Sequence, residues 1–224
     1  MACRVVVILF LLSLLSCKHG QKEHRNSKIE ITGISESTLI LDGRSLRGWE
    51  ITNFGPQGPV SVSGNEIILG MGDGCTGISW KGDFPIINYE VTLEAKRIAG
   101  NDFFCGMTFP VGNDPCTLIV GGWGGTTVGL SSIDGLDASD NNTKTLMQFE
   151  KNRWYHISLT VTATEIKALI DSVLVVDFKI GDKKLTIRPE VTLSKPFGIA
   201  SWNTTAAIRN IRVNRIQNSK ERYE

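Results

Sequence analysis

Residues 131–143, SSIDGLDASDNNT, space three aspartates, Asp134, Asp137 and Asp140, evenly through a polar stretch. Just upstream, residues 119–125, IVGGWGG, set one indole, Trp123, among four glycines. Two carboxyl groups roughly 5 to 10 Å apart can cleave a glycosidic bond, one protonating the leaving oxygen and the other acting as base or nucleophile. Asp134 and Asp137 are the candidate catalytic residues. Asp134 follows the preceding apolar run most closely, which would hold it more rigidly than the other two. With the Asn141 amide, the same oxygens can also serve as calcium ligands, although their spacing is not that of an EF-hand, so a divalent cation is an option rather than a signature. The plain alternative is a loop whose Asp and Asn side chains shape turns and face water. Trp123 also reads two ways. Flanking glycines bare the indole for stacking on the apolar face of a sugar ring and let backbone approach a ligand. Glycine pairs equally mark bulges and sharp bends, with the tryptophan filling the core.

Other chemistries find little support. One histidine, His156, lies in the part of the chain that can fold, on an apparent strand, so a serine or cysteine triad would hang on a ring that reads as a surface or satisfied histidine. There is no P-loop, no dinucleotide fingerprint, no zinc spacing and no basic aromatic patch.

Strands must position these residues. Tyr89, Val91, Leu93 and Ala95 alternate with Glu90, Thr92, Glu94 and Lys96, and Tyr155, Ile157, Leu159 and Val161 alternate with His156, Ser158 and Thr160. Period-2 alternation of this kind marks half-buried strands. Two short strands flank Asp171-Ser172, another covers residues 207–213, and further runs span 38–42, 66–69, 77–80, 103–109, 117–120, 126–130 and 197–201. Glycine and proline punctuate them closely, and no helical period is sustained. About a dozen strands predict an all-β jelly-roll sandwich of two antiparallel sheets, occupying residues 38–216 as one domain with a polar tail at 217–224.

Residues 1–16 read as an export signal, with Arg4 followed by a short apolar run, and Leu14-Leu15-Ser16-Cys17 resembles the lipobox of bacterial lipoproteins. That resemblance implies a lipid on Cys17 and a membrane attachment with no transmembrane helix, residues 17–37 forming a polar tether. It places the domain at a bacterial cell envelope, periplasmic or surface-facing. Without residues 1–16 the chain loses only Arg4, leaving 23 Lys plus Arg against 23 Asp plus Glu, so no electrostatic case for nucleic acid exists. Cys75, Cys105 and Cys116 remain in the domain. A hairpin centred on residues 112–115 would pair Cys105 with about Gly121 and turn Cys105 and Cys116 to opposite faces, which argues for buried free thiols.

Residues 41–49, LDGRSLRGW, look like the opening signature of the 3-keto-disaccharide hydrolase family, and residues 196–200 with 208–211 resemble its final two strands. Arg153-Trp154-Tyr155, leading into Ile166 and then Ile170-Asp171, is similar to its central strand pair. The chain departs from the family pattern twice. Residues 101–109 keep the asparagine and a glycine but no arginine, and Asn152-Arg153-Trp154-Tyr155 stands where G-E-W-N is common, without the acid. The resemblance implies a concanavalin-like jelly roll that acts on or binds carbohydrate. In the enzyme reading Trp123 holds a sugar ring, Asp134 or Asp137 is the acid–base group, and Asn101 or Asp102 orients hydroxyls. In the other reading the same face only binds glycan or a partner.

Overall fold

A computed structural model describes residues 34–217. The expected lipidation at Cys17, the signal and the polar tail from 218 lie outside the described residues. Fifteen strands follow in order: β1 (Ile34–Leu41), β2 (Trp49–Ile51), β3 (Val60–Ser63), β4 (Glu66–Leu69), β5 (Cys75–Trp80), β6 (Tyr89–Gly100), β7 (Cys105–Val111), β8 (Asp114–Gly122), β9 (Thr127–Ser131), β10 (Thr145–Leu146), β11 (Tyr155–Val161), β12 (Glu165–Ile170), β13 (Val173–Lys179), β14 (Gly198–Trp202) and β15 (Thr204–Ile216). One 3-10 helix, Pro189–Ser194, precedes β14. An eight-stranded sheet runs β13-β12-β11-β6-β15-β4-β3 with β1 also on β15, and a seven-stranded sheet runs β10-β9-β8-β7-β14-β5-β2. All neighbouring strands in these orders pair antiparallel. The jelly-roll sandwich expected from the alternation is the observed architecture.

The two sheets solve the burial problem differently. In the eight-stranded sheet, β6 and β11 bury every second side chain and leave the others partly or fully wet. Tyr89, Val91, Leu93, Tyr155, Ile157 and Leu159 meet Met107, Phe109, Leu118, Val120, Val128 and Leu130 of the seven-stranded sheet in one core. Each such side chain, fully buried, contributes about 1.5 to 3 kcal/mol. Tyr89 keeps its hydroxyl satisfied by donating to the Pro110 carbonyl at 2.6 Å. In the seven-stranded sheet β7 and β9 are buried on both faces. Their outward positions, Gly106, Thr108, Gly129 and Ser131, are small, so other segments can lie close over them. A Cβ on Gly129 would meet Ala138 and Thr143 at 3.2 and 3.1 Å, and one on Gly198 would meet the Ser194 carbonyl at 2.7 Å. The loop after β9 and the 3-10 helix therefore rest directly on this face.

The β7–β8 hairpin corrects one expectation. Val111 pairs with Asp114 around the two-residue turn Gly112-Asn113, so Cys105 faces Val120 and Cys116 faces Phe109. The loop is one residue shorter than a centre at residue 113 would make it, so its centre moves by half a residue, and a one-residue change of register inverts every facing. Cys105 and Cys116 thus share the inner face, four rungs apart, and neither is bridged among the described residues. Both are free and fully buried, and burial pushes each thiol up to about 12.

Candidate functional site

A cleft of about 170 Å³ opens on the outer face of the seven-stranded sheet. Thr117 and Ile119 of β8 and Ser131 of β9 form its floor. Asp102 and Phe103 from the β6–β7 loop and Trp123 from the β8–β9 turn stand on one side. Trp202, at the end of β14, and Arg188, Glu190 and Val191, in and before the 3-10 helix, complete the lining. Phe103 and Trp202 lie with ring centroids 6.4 Å apart, and Trp123 is 40% exposed. The cleft therefore has aromatic faces, two buried hydroxyl-bearing residues at its base and charged groups at its edge. That combination matches the mixed surface of a polyhydroxylated ligand, whose ring faces are apolar and whose edges hydrogen-bond.

Trp123 is held in the left-handed region, with φ of 46°, and Gly124 follows at 85°. The Gly125 N–H closes the turn on the Gly122 carbonyl at 3.2 Å. Two of the four glycines make room for something the sequence reading did not anticipate. Arg97 of β6 points inward, only 6% exposed, and its Nη2 donates to the carbonyls of Asp102 (3.2 Å), Gly121 (3.1 Å) and Gly125 (2.9 Å). A Cβ on Gly121 would come within 2.5 Å of Nη2, and one on Gly125 within 3.1 Å of Nη1. The guanidinium also lies over the rings of Phe104 and Phe149, 5.2 and 6.0 Å from their centroids. Trp123 itself is neither buried nor a core filler.

The aspartate loop is committed to its own architecture. Asp134 is exposed, accepts from Lys183 Nζ and the Lys184 N–H at 2.9 Å each, and does not line the cleft. Asp137 is outside the cleft lining, and Ser131 and Ser132 donate to its Oδ1 at 3.1 and 2.8 Å while Arg188 Nη1 donates to its Oδ2. Asn141 is buried, giving its amide N–H groups to the Leu130 and Leu136 carbonyls and receiving Thr143 at Oδ1. Among the described residues no three of His, Cys, Asp and Glu converge as a metal site. Asn101 is exposed beside Gly125 and outside the cleft lining, whereas Asp102 and Trp123 come together in it. The Arg153 position, where the family carries an acid, falls elsewhere: Arg153 pairs with Asp171 at 2.7 Å, and Trp154 lies under Lys96 and Arg209 on the wet face of the eight-stranded sheet.

Glu190 and Arg188 gave no sequence signal, because a 3-10 turn has no apolar period to mark it. Arg188 joins two carboxylates, donating to Glu190 through Nη2 at 2.8 Å and Nε at 3.3 Å and to Asp137 through Nη1. The hydrogen bonds from Arg188 hold the Glu190 carboxyl below its usual range against the opposing effect of burial. At Asp137 burial acts upward, but the Ser132 and Ser131 hydroxyls and the Arg188 charge prevail and the carboxyl is lowered. Cys75, packed on Val191 beneath the cleft, is pushed up to about 12 by burial and by Glu190, so it is no nucleophile at neutral pH. Asp102 differs from both partners of Arg188. Its Oδ1 accepts the Phe103 N–H at 2.7 Å, and among the described residues no hydrogen bond reaches Oδ2, although the Asp102 charge acts favourably on Arg97.

A pH effect follows from the lowered carboxyls. A group whose folded value is depressed stabilises the fold above its unfolded value of roughly 4 and loses that contribution as pH falls through the folded value. The melting temperature is expected to drop as pH falls below about 4, and Arg188→Gln should make that drop shallower, since the variant has less charge pairing to lose. Thermal unfolding of both proteins from pH 7 to pH 2 checks it.

The two antiparallel sheets, with an aromatic, carboxylate-bearing cleft on the outer face of one, define a jelly-roll sandwich. Solved structures share the fold, among them the following three. Domain 4 of AbnA, a GH43 extracellular arabinanase from Geobacillus stearothermophilus solved with arabinotriose, is 17% identical, covers 81% of this chain and 94% of its own, and has a TM-score of 0.52. The carbohydrate-binding module CBM66 from Bacillus subtilis is 16% identical over 74% of this chain and 94% of that one, with a TM-score of 0.50. The Crh5 transglycosylase in complex with NAG is 15% identical over 83% and 86%, with a TM-score of 0.57. No curated protein matches the chain. The chain belongs to the family of 3-keto-alpha-glucoside-1,2-lyase-like domains, whose model matches residues 36–214.

Proposed function

We propose that this domain cleaves 3-keto-glycosides, disaccharides among them, with Trp123 under the sugar ring and Asp102 as the proton-accepting carboxylate. The observation that carries this reading is the Asp102 carboxylate in the cleft beside an exposed indole, with no hydrogen bond to its Oδ2 among the described residues. A ketone at C3 acidifies the hydrogen at C2. Asp102 takes that proton and the electron pair moves into an enolate. Its return forms a C1–C2 double bond and breaks the bond from C1 to the glycosidic oxygen, which receives the proton back from Asp102. One base therefore suffices. Ordinary hydrolysis requires in addition a carboxyl held protonated as general acid, and Glu190 and Asp137 are held in the opposite direction. Water added across the new double bond would complete a net hydrolysis. The lipobox resemblance supports attachment through Cys17 at a bacterial cell envelope.

A second reading, glycan binding without turnover, draws on the cleft's size. Its volume of about 170 Å³ lies below the ~300 to 1,000 Å³ of most small-molecule pockets. Incubating the full chain with methyl 3-keto-α-glucoside and following methanol release and enone absorbance separates the two. Trp123→Ala is expected to weaken binding about tenfold, the worth of one good stacking contact. Absence of turnover with saturable binding that weakens in Trp123→Ala supports the second reading. Turnover unaffected by Trp123→Ala overturns the placement of the substrate in this cleft.

A further inference from the structure

We propose that Arg97 is the positioning residue of the cleft, a single guanidinium that sets Trp123 against Asp102. Continuing the inward series Tyr89, Val91, Leu93 and Ala95 by two residues reaches Arg97, so a cation occupies a core-facing place on β6. Burying a cation is costly; among the described residues no carboxylate lies within ion-pair distance of Arg97, and the Asp102 charge offsets the burial only in part. The Arg97 Nε is buried without a partner. An apolar side chain would fill the same volume without that cost. What an apolar side chain cannot do is donate from one nitrogen to three carbonyls of two separate loops. Gly121 and Gly125 bracket Trp123, and Asp102 carries the carboxylate proposed as base, so Nη2 fixes both flanks of the indole and the backbone of the acid together. The aromatic rings beneath the guanidinium give it a defined plane. The glycines at 121 and 125 are the complement of this device, since a Cβ at 121 would strike the guanidinium and one at 125 would crowd it.

The effect on turnover rests on the function proposed above, but the effect on geometry does not. Full chain labelled with 5-fluorotryptophan gives a fluorine resonance for each of Trp49, Trp80, Trp123, Trp154 and Trp202, assigned by single Trp→Phe variants. In Arg97→Met and Arg97→Lys the Trp123 resonance is expected to shift and broaden while those of Trp49 and Trp80, at the far end of the sheet, keep their positions. Lysine should not rescue, because an ammonium is a point donor without the planar fork. Gly121→Ala displaces the guanidinium without removing it and should move the same resonance. On methyl 3-keto-α-glucoside, kcat/KM of the folded variants should fall about a hundredfold, the scale of an ångström-sized misplacement. Moved Trp123 resonances with no turnover even in the unaltered chain would uphold the positioning role and remove the enzymatic reading. An unmoved Trp123 resonance in folded Arg97→Met overturns the proposal. So does collapse of the Trp49 and Trp80 resonances along with Trp123 in all three variants, which would make Arg97 a general core residue.

Discussion

Asp102→Asn lowers kcat on 3-keto-glucosides by about 10²- to 10⁴-fold, the usual contribution of a positioned general base, and leaves KM nearly unchanged. The substitution is nearly isosteric, and the surroundings favour its retention of place. The Asp102 N–H donates to Thr204 Oγ1 at 3.1 Å, its carbonyl receives Arg97, and its Oδ1 receives the Phe103 N–H. An asparagine can keep all three contacts and present an amide NH₂ where Oδ2 stood. Only the ability to take a proton is removed. Single-turnover measurement of enone formation, with binding followed separately, isolates that step. Retained activity in Asp102→Asn would move the base to Glu190, whose release from Arg188 would then have to accompany substrate binding.

Phe104→Ala carries the largest expected stability effect, about 3 to 5 kcal/mol. Phe104 is fully buried, with ring centroids 5.0 Å from Phe149 and 6.1 Å from Tyr155, and Arg97 lies over its face. Its removal leaves a cavity and also bares one side of a buried cation. Urea unfolding should show a lower midpoint with little change in slope, because the native core remains closed. A loss below about 1 kcal/mol would mean that Phe149 and Tyr155 collapse into the space.

Legibility in the sequence followed the wetness of each sheet. Strands β6 and β11 could be read almost residue for residue, since one dry and one wet face impose strict alternation. Strands β7 to β9, dry on both sides, offered runs but no parity, and the hairpin between β7 and β8 was accordingly placed one register away from its true pairing. The short strands β2, β3 and β10 contain too few residues to show a period. In the cleft, Trp123 was accessible to sequence reading because glycine flanks are a local signal, whereas Asp102 entered only beside Asn101 as a residue orienting hydroxyls, and the acidic loop drew the base to Asp134 and Asp137 instead. Glu190 and Arg188 arrive from a 3-10 turn with no pattern. Arg97 did carry a signal, an arginine on the inward parity of a strand otherwise filled by Tyr, Val, Leu and Ala. It is conspicuous only once the strand is extended to its full length at Gly100.

The Arg188 bridge has a consequence for selectivity. A guanidinium at the lip of a sugar cleft would ordinarily attract uronates, sulfate esters and sugar phosphates, but both edges of this one are already occupied by Glu190 and Asp137. With Asp102 uncovered at the opposite loop, an approaching ligand meets more negative than positive charge. The cleft is in effect a charge filter, expected to turn away the acidic polymers abundant at cell surfaces and admit neutral glycosides, a preference that a panel of matched neutral and anionic sugars would read directly.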